Sequence, residues 1–194
     1  MRQRGQVFSK VAPQTSEVGR IRTQIVLCKI TDSLLISNSR SACNKELLTQ
    51  EGVTFCINVS RQQPFPGLQQ VRSLRVPVFD DPLEDLYKYF EQCGNAIEET
   101  VRSGGKCLVY CKNGRSRSAA ICTAYLMRHQ NITVKDAFET VKTARPGVEP
   151  NAGFWSQLQR YEEHLQTQHQ LGEQPTGDGN CWREKGAERS KEEK

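Results

Sequence analysis

The stretch CLVYCKNGRSRSAAICTAYLM, residues 107–127, carries three local signals in succession. Residues 107–111 are a short, near-continuous apolar run, as expected of a strand buried on both faces. KNGRS, 112–116, is a turn, with Gly114 available for a backbone angle that other residues resist. From Arg117 to His129 apolar residues recur three and four apart, the period of a helix packed on one side. A strand, a tight loop and a helix N-terminus in that order make an anion cradle, because unpaired backbone N–H groups and the helix dipole converge on the loop.

Working outward, further β-rich runs occur at SLLIS (33–37), VTFCINV (53–59) and LRVPVF (74–79). Helical patterns fall at about 41–50, 83–102, 116–129, 134–143 and 152–166. Thr133 with Asp136 resembles a capping box, and Asn151 after Pro150 reads as an N-cap. Strands and helices alternating in this way predict one α/β domain, a largely parallel central sheet flanked by helices on both faces. The 194 residues suffice for a single domain with a sizeable core, placed at 20–167. Residues 1–19 and 168–194 are polar and aperiodic and are expected to be disordered tails.

Composition narrows the function classes. Lys and Arg number 27 against 22 Asp and Glu, a net charge of +5 without a block of like charge, so no nucleic-acid arm is expected. The eight cysteines follow no disulfide spacing, no CxxC pair occurs and three histidines are present, so neither a metal site nor a cofactor is expected. No apolar leader or membrane-length apolar run is found, which predicts a cytoplasmic, also nuclear, protein without a membrane anchor, acting as a monomer. In that compartment the sequons at Asn58 and Asn131 are accidental.

The side chains give the cradle a chemistry. Cys111 opens the loop where the positive field favours a thiolate, and Arg117 closes it with a planar fork suited to two phosphoryl oxygens. Cys111 is therefore the candidate nucleophile, and the Ser118 hydroxyl is placed to steady its sulfur when a thiophosphate intermediate breaks down. The phosphate-binding loop comprises Lys112, Asn113, Gly114, Arg115, Ser116 and Arg117. With strand before and helix behind, Cys111, Gly114, Ser116, Arg117 and Ser118 resemble the loop of the small dual-specificity branch of cysteine-dependent protein phosphatases. The resemblance covers about residues 25–166, including PVFDDPLEDLYKYF and RPGVEPNAGFWSQL. It implies a protein-tyrosine-phosphatase-like fold and metal-free hydrolysis of phosphotyrosine, phosphoserine and phosphothreonine in protein substrates.

The departing oxygen needs a proton, and VPVFDDPLEDL supplies carboxylic acids. Aligned with the family, Asp80 matches the general acid; Asp81 is the alternative, and Asp85 reads as a helix cap. Where the family has a histidine before the cysteine, this chain has Tyr110, bulkier and neutral. A less acidic thiol would lose thiolate but gain nucleophilicity, and the two nearly cancel. Weak turnover is therefore expected to come from displaced loop geometry, where a 1 Å error costs about a hundredfold. Lys112 and Arg115 make the mouth basic, and Arg145 is expected on the same rim. Cys107, on the same strand face as Cys111, is read as structural. Two other functions fit the cradle: a phosphoprotein-binding module with vestigial catalysis, and a phosphatase of non-protein phosphomonoesters.

Overall fold

Five strands share one sheet in the computed structural model, which describes residues 25–172. These are β1 (Cys28–Lys29), β2 (Leu34–Asn38), β3 (Phe55–Asn58), β4 (Arg72–Arg75) and β5 (Cys107–Cys111), in the spatial order β1-β2-β5-β3-β4. β1 pairs antiparallel with β2, and the remaining pairs are parallel, with β5 at the centre between β2 and β3. Around them lie α1 (Ser39–Ala42), α2 (Lys45–Glu51), a single 3-10 turn (Tyr87–Tyr89), α3 (Phe90–Arg102), α4 (Arg117–Gln130), α5 (Val134–Ala144) and α6 (Ala152–Gly172).

The sheet is covered on both faces because alternate side chains of β2, β3 and β5 feed two separate apolar clusters. Ile36, Ile57, Cys107, Val109 and Cys111 pack with α3 to α6. Leu35, Cys56, Leu108 and Tyr110 face the other way, against Ala42 of α1 and Leu48 of α2. The central strand therefore delivers Cys111 to one face and Tyr110 to the other.

Where the elements depart from the expected ranges, hydrogen bonding explains it. The helix expected at 41–50 is two helices: Asn38 caps α1 by accepting the Ser41 N–H, and Asn44 caps α2 by accepting the Leu47 N–H. The strand expected at 74–79 is β4, starting two residues earlier and ending at Arg75, since Pro77 has no N–H for the ladder. β1, two residues long, gives no periodic signal. The helix expected from 83 begins at Phe90; before it stands the 3-10 turn, and Gln157 Oε1 accepts the free Leu86 and Tyr87 N–H groups at its head, at 2.9 and 2.8 Å. Thr133 and Asp136 form the capping box, Thr133 Oγ1 accepting the Asp136 N–H. α6 runs to Gly172, five residues beyond the boundary set at 167; otherwise the expected tails lie outside the described residues. Among those residues no helix is long and apolar enough to cross a membrane.

Candidate active site

The loop from Cys111 to Arg117 joins the end of β5 to the start of α4. Four successive carbonyls, from Lys112 to Arg115, are engaged by the body of the protein. Lys112 O accepts the Ser39 N–H at 3.3 Å, and Arg115 O accepts the Glu149 N–H at 2.8 Å. Gly114 O and Asn113 O accept Arg145 Nε and Nη2 at 2.7 and 3.3 Å. With the carbonyls drawn outward, the peptide N–H groups turn to the concave side, where they add to the positive end of α4. Gly114 makes the turn at φ 62°, and a Cβ there would lie 2.4 Å from Ser37 O, so the position is closed to any side chain.

Arg145 corrects one expectation. It is 2% exposed and lies beneath the loop, not on its rim. A buried guanidinium needs several acceptors, and the two loop carbonyls, with the Cys28 Sγ at 3.4 Å, supply them. The basic mouth is also smaller than expected: Arg115 is ion-paired with Glu149, while Lys112 is exposed beside the opening.

Cys111 Sγ sits 3.2 Å from Ser118 Oγ, both buried. The structure thus brings together the candidate nucleophile and the hydroxyl expected to steady it. Arg117, 8% exposed, donates from Nη1 to Val78 O at 3.2 Å, which anchors the fork against the segment leading to the acid loop. Its Nε is buried with no hydrogen-bond partner, an N–H that a phosphoryl oxygen would satisfy. Ser116 turns its Oγ the other way, accepting the Asn151 N–H at 2.9 Å.

The two aspartates are separated by geometry. Asp81 Oδ1 accepts the Leu83 N–H at 2.8 Å, a turn-forming role. Asp80 lines a surface cavity with Lys112, Arg117, Phe79 and the Ser60–Gln63 segment, and its Oδ1 accepts Asn151 Nδ2 at 3.0 Å. Asp85 Oδ1 accepts the Lys88 N–H at 3.3 Å from one residue ahead of Leu86, the N-cap of the 3-10 turn.

Tyr110 is fully buried and lies in the cluster away from Cys111. Its hydroxyl donates to Pro64 O at 2.7 Å, and burial pushes its pKa upward. The segment it grips, 60–64, is held too by Asn58 Nδ2 on Gln63 O and by Arg75 on Ser60 O and Gln63 O, each at 2.9 Å. Part of that segment forms one wall of the cavity beside Asp80. Sequence reasoning missed Asn58 and Arg75 as supports of this wall, because both look like ordinary polar strand residues until the loop folds back on them. Asn58 is fully buried, so its sequon is closed to a glycan in the folded chain.

Cys56, Cys93, Cys107 and Cys122 are buried thiols. Burial, with its thiol neighbours, raises the pKa of Cys107 well above the ordinary thiol range, and burial pushes Cys93 up to about 12. Among the described residues no group of three or more His, Cys, Asp or Glu side chains is placed to hold a metal ion.

Comparison with known proteins agrees with this geometry. Residues 34–164 match the family model described as dual specificity phosphatase, catalytic domain. Dual specificity phosphatase 28 of Homo sapiens is 58% identical over 149 residues, covering 77% of this chain and 85% of the relative. The crystal structure of human DUSP28 matches with a TM-score of 0.70 at 58% identity, over 72% of this chain and 95% of that one. The human tyrosine phosphatase-like serine/threonine/tyrosine-interacting protein matches at 31% identity with a TM-score of 0.68, over 72% and 97%.

Proposed function

Because the chain belongs to the dual specificity phosphatases, we propose that it hydrolyses phosphotyrosine and phosphoserine or phosphothreonine in proteins through a phosphocysteine at Cys111. The observation that carries this reading is the pairing of Cys111 Sγ with Ser118 Oγ at 3.2 Å inside a loop whose carbonyls are tied outward.

The sulfur attacks phosphorus while Arg117 and the inward N–H groups hold the equatorial oxygens, and the phosphorus–oxygen bond to the substrate breaks. Asp80, protonated, gives its proton to the departing oxygen. Water then attacks the phosphocysteine and passes a proton to the Asp80 carboxylate. The sulfur leaves as thiolate, steadied by the Ser118 hydroxyl, and inorganic phosphate departs.

Turnover is slow in this reading, and Tyr110 is the cause. Its bond to Pro64 fixes the 60–64 wall from behind the sheet, so the effect of the tyrosine reaches the pocket through loop position. Phosphate release from a panel of phosphotyrosyl and phosphothreonyl peptides tests both parts. The wild-type chain should release phosphate, and Tyr110→His should raise kcat by up to about a hundredfold, the range that correcting an ångström-scale misplacement covers. An unchanged kcat would make the tyrosine a neutral substitute.

A further inference from the structure

Asn151 makes four hydrogen bonds that join three parts of the site. Its backbone N–H donates to Ser116 Oγ of the phosphate loop at 2.9 Å, and its backbone carbonyl accepts the Trp155 N–H at 2.9 Å. Its side-chain Oδ1 caps α6 by accepting the Phe154 N–H at 2.9 Å. That bond fixes the orientation of the amide, so the donating Nδ2 must face the other way, and it meets Asp80 Oδ1 at 3.0 Å.

The first turns of α6 are a platform for the whole acid segment. A Cβ on Gly153 would lie 1.9 Å from Pro82 O, so glycine is what permits the contact. One turn on, Gln157 accepts from the Leu86 and Tyr87 N–H groups and donates to Glu84 O at 2.9 Å. The same helix end therefore positions both the loop that carries the acid and the phosphate loop.

We propose that Asn151 is a positioning residue for the general acid: it grips one oxygen of Asp80 and leaves Oδ2 to carry the transferable proton toward the cavity. This rests on the phosphatase reading. The gain is orientational, because an exposed aspartate otherwise samples several rotamers, and proton transfer requires one of them.

The test is Asn151→Ser, which retains an N-capping side chain and the backbone N–H but cannot reach Asp80. The probes are a phosphoseryl peptide, whose leaving group needs a proton, and p-nitrophenyl phosphate, whose leaving group needs little help. kcat for the phosphoseryl peptide should fall about tenfold further than for the aryl phosphate, a fraction of what general acid catalysis contributes. In an Asp80→Asn background that difference should vanish, since the two residues act as one unit. Equal losses on both substrates, or a difference that persists without Asp80, would overturn the proposal and leave Asn151 a helix cap alone. A crystal structure of Asn151→Ser gives a readout free of turnover: Asp80 rotated out of the cavity supports the proposal, and Asp80 held unchanged overturns it. Absence of phosphate release by the wild-type chain from either probe would contradict the phosphatase reading, and the crystal structure would then decide the role of Asn151.

Discussion

Two aspartates stand side by side ahead of Pro82, and their hydrogen bonds assign them different work. Asp81 shapes a turn through the Leu83 N–H, whereas Asp80 bonds Asn151 and lines a cavity shared with Lys112 and Arg117. With a poor leaving group, Asp80→Asn should lower kcat by about 10²- to 10⁴-fold, the range general acid catalysis contributes. Asp81→Asn keeps the same turn chemistry and should lose little. Steady-state kinetics on a phosphoseryl peptide checks both, and a larger loss in the Asp81 variant would reverse the assignment. Ser118→Ala should slow breakdown of the phosphocysteine more than its formation, read as a larger burst of alcohol before a slower steady rate. An unchanged steady rate would remove the hydroxyl from the mechanism. The site residues on the loop were legible because nucleophile, fork and glycine lie within a few positions of one another. Arg145 was not legible: its role depends on which carbonyls the fold places over it, and an isolated arginine in TARPG carries no sign of that.

At the scale of elements, the strand, loop and helix from Cys107 to Gln130 came out close to their expected bounds, since the apolar period changes sharply at the loop. Two of the segments misjudged are governed by side-chain acceptors at helix starts. Asn44 breaks one expected helix in two, and Gln157, seventy residues away in sequence, accepts the N–H groups at the head of the 3-10 turn where one continuous helix was expected. Such long-range acceptors leave no local periodic trace. Two glycines mark where elements touch without room for a methyl group. Gly114→Ala places a Cβ 2.4 Å from Ser37 O at a positive φ, so the phosphate loop must rebuild. Phosphate release and binding of an oxyanion such as tungstate should both be lost, while circular dichroism of the helices persists. Retained oxyanion binding would show that the loop has slack the packing does not suggest.

For the whole molecule, the two-sided sheet explains how one strand can hold Cys111, the proposed nucleophile, on one face and a tyrosine that grips a distant loop on the other. Stability carries a pH signature from a different quarter, where α3 meets α4. His129 stacks on Tyr125, lies 3.2 Å from Glu98 and is flanked by Arg128, Arg102 and Glu91. Burial there lowers its pKa below the ordinary 6.5 and outweighs the opposing pull of Glu98. A base whose pKa is depressed by folding stabilises the protein while neutral, so this contribution is present above about pH 6.5 and fades as the pH falls. Urea midpoints at about pH 7.5 and pH 5.5 should therefore drop more in the wild type than in His129→Gln; an equal drop would place the acid sensitivity elsewhere. The central claim, that the chain works through a phosphorylated Cys111, is tested most directly by rapid acid quench of the protein with a phosphotyrosyl peptide and mass analysis of the peptide spanning residues 107–127. One added phosphoryl group is expected on Cys111, with that group and phosphate release both absent in Cys111→Ser. Phosphate release that continues in Cys111→Ser at the wild-type rate would contradict it.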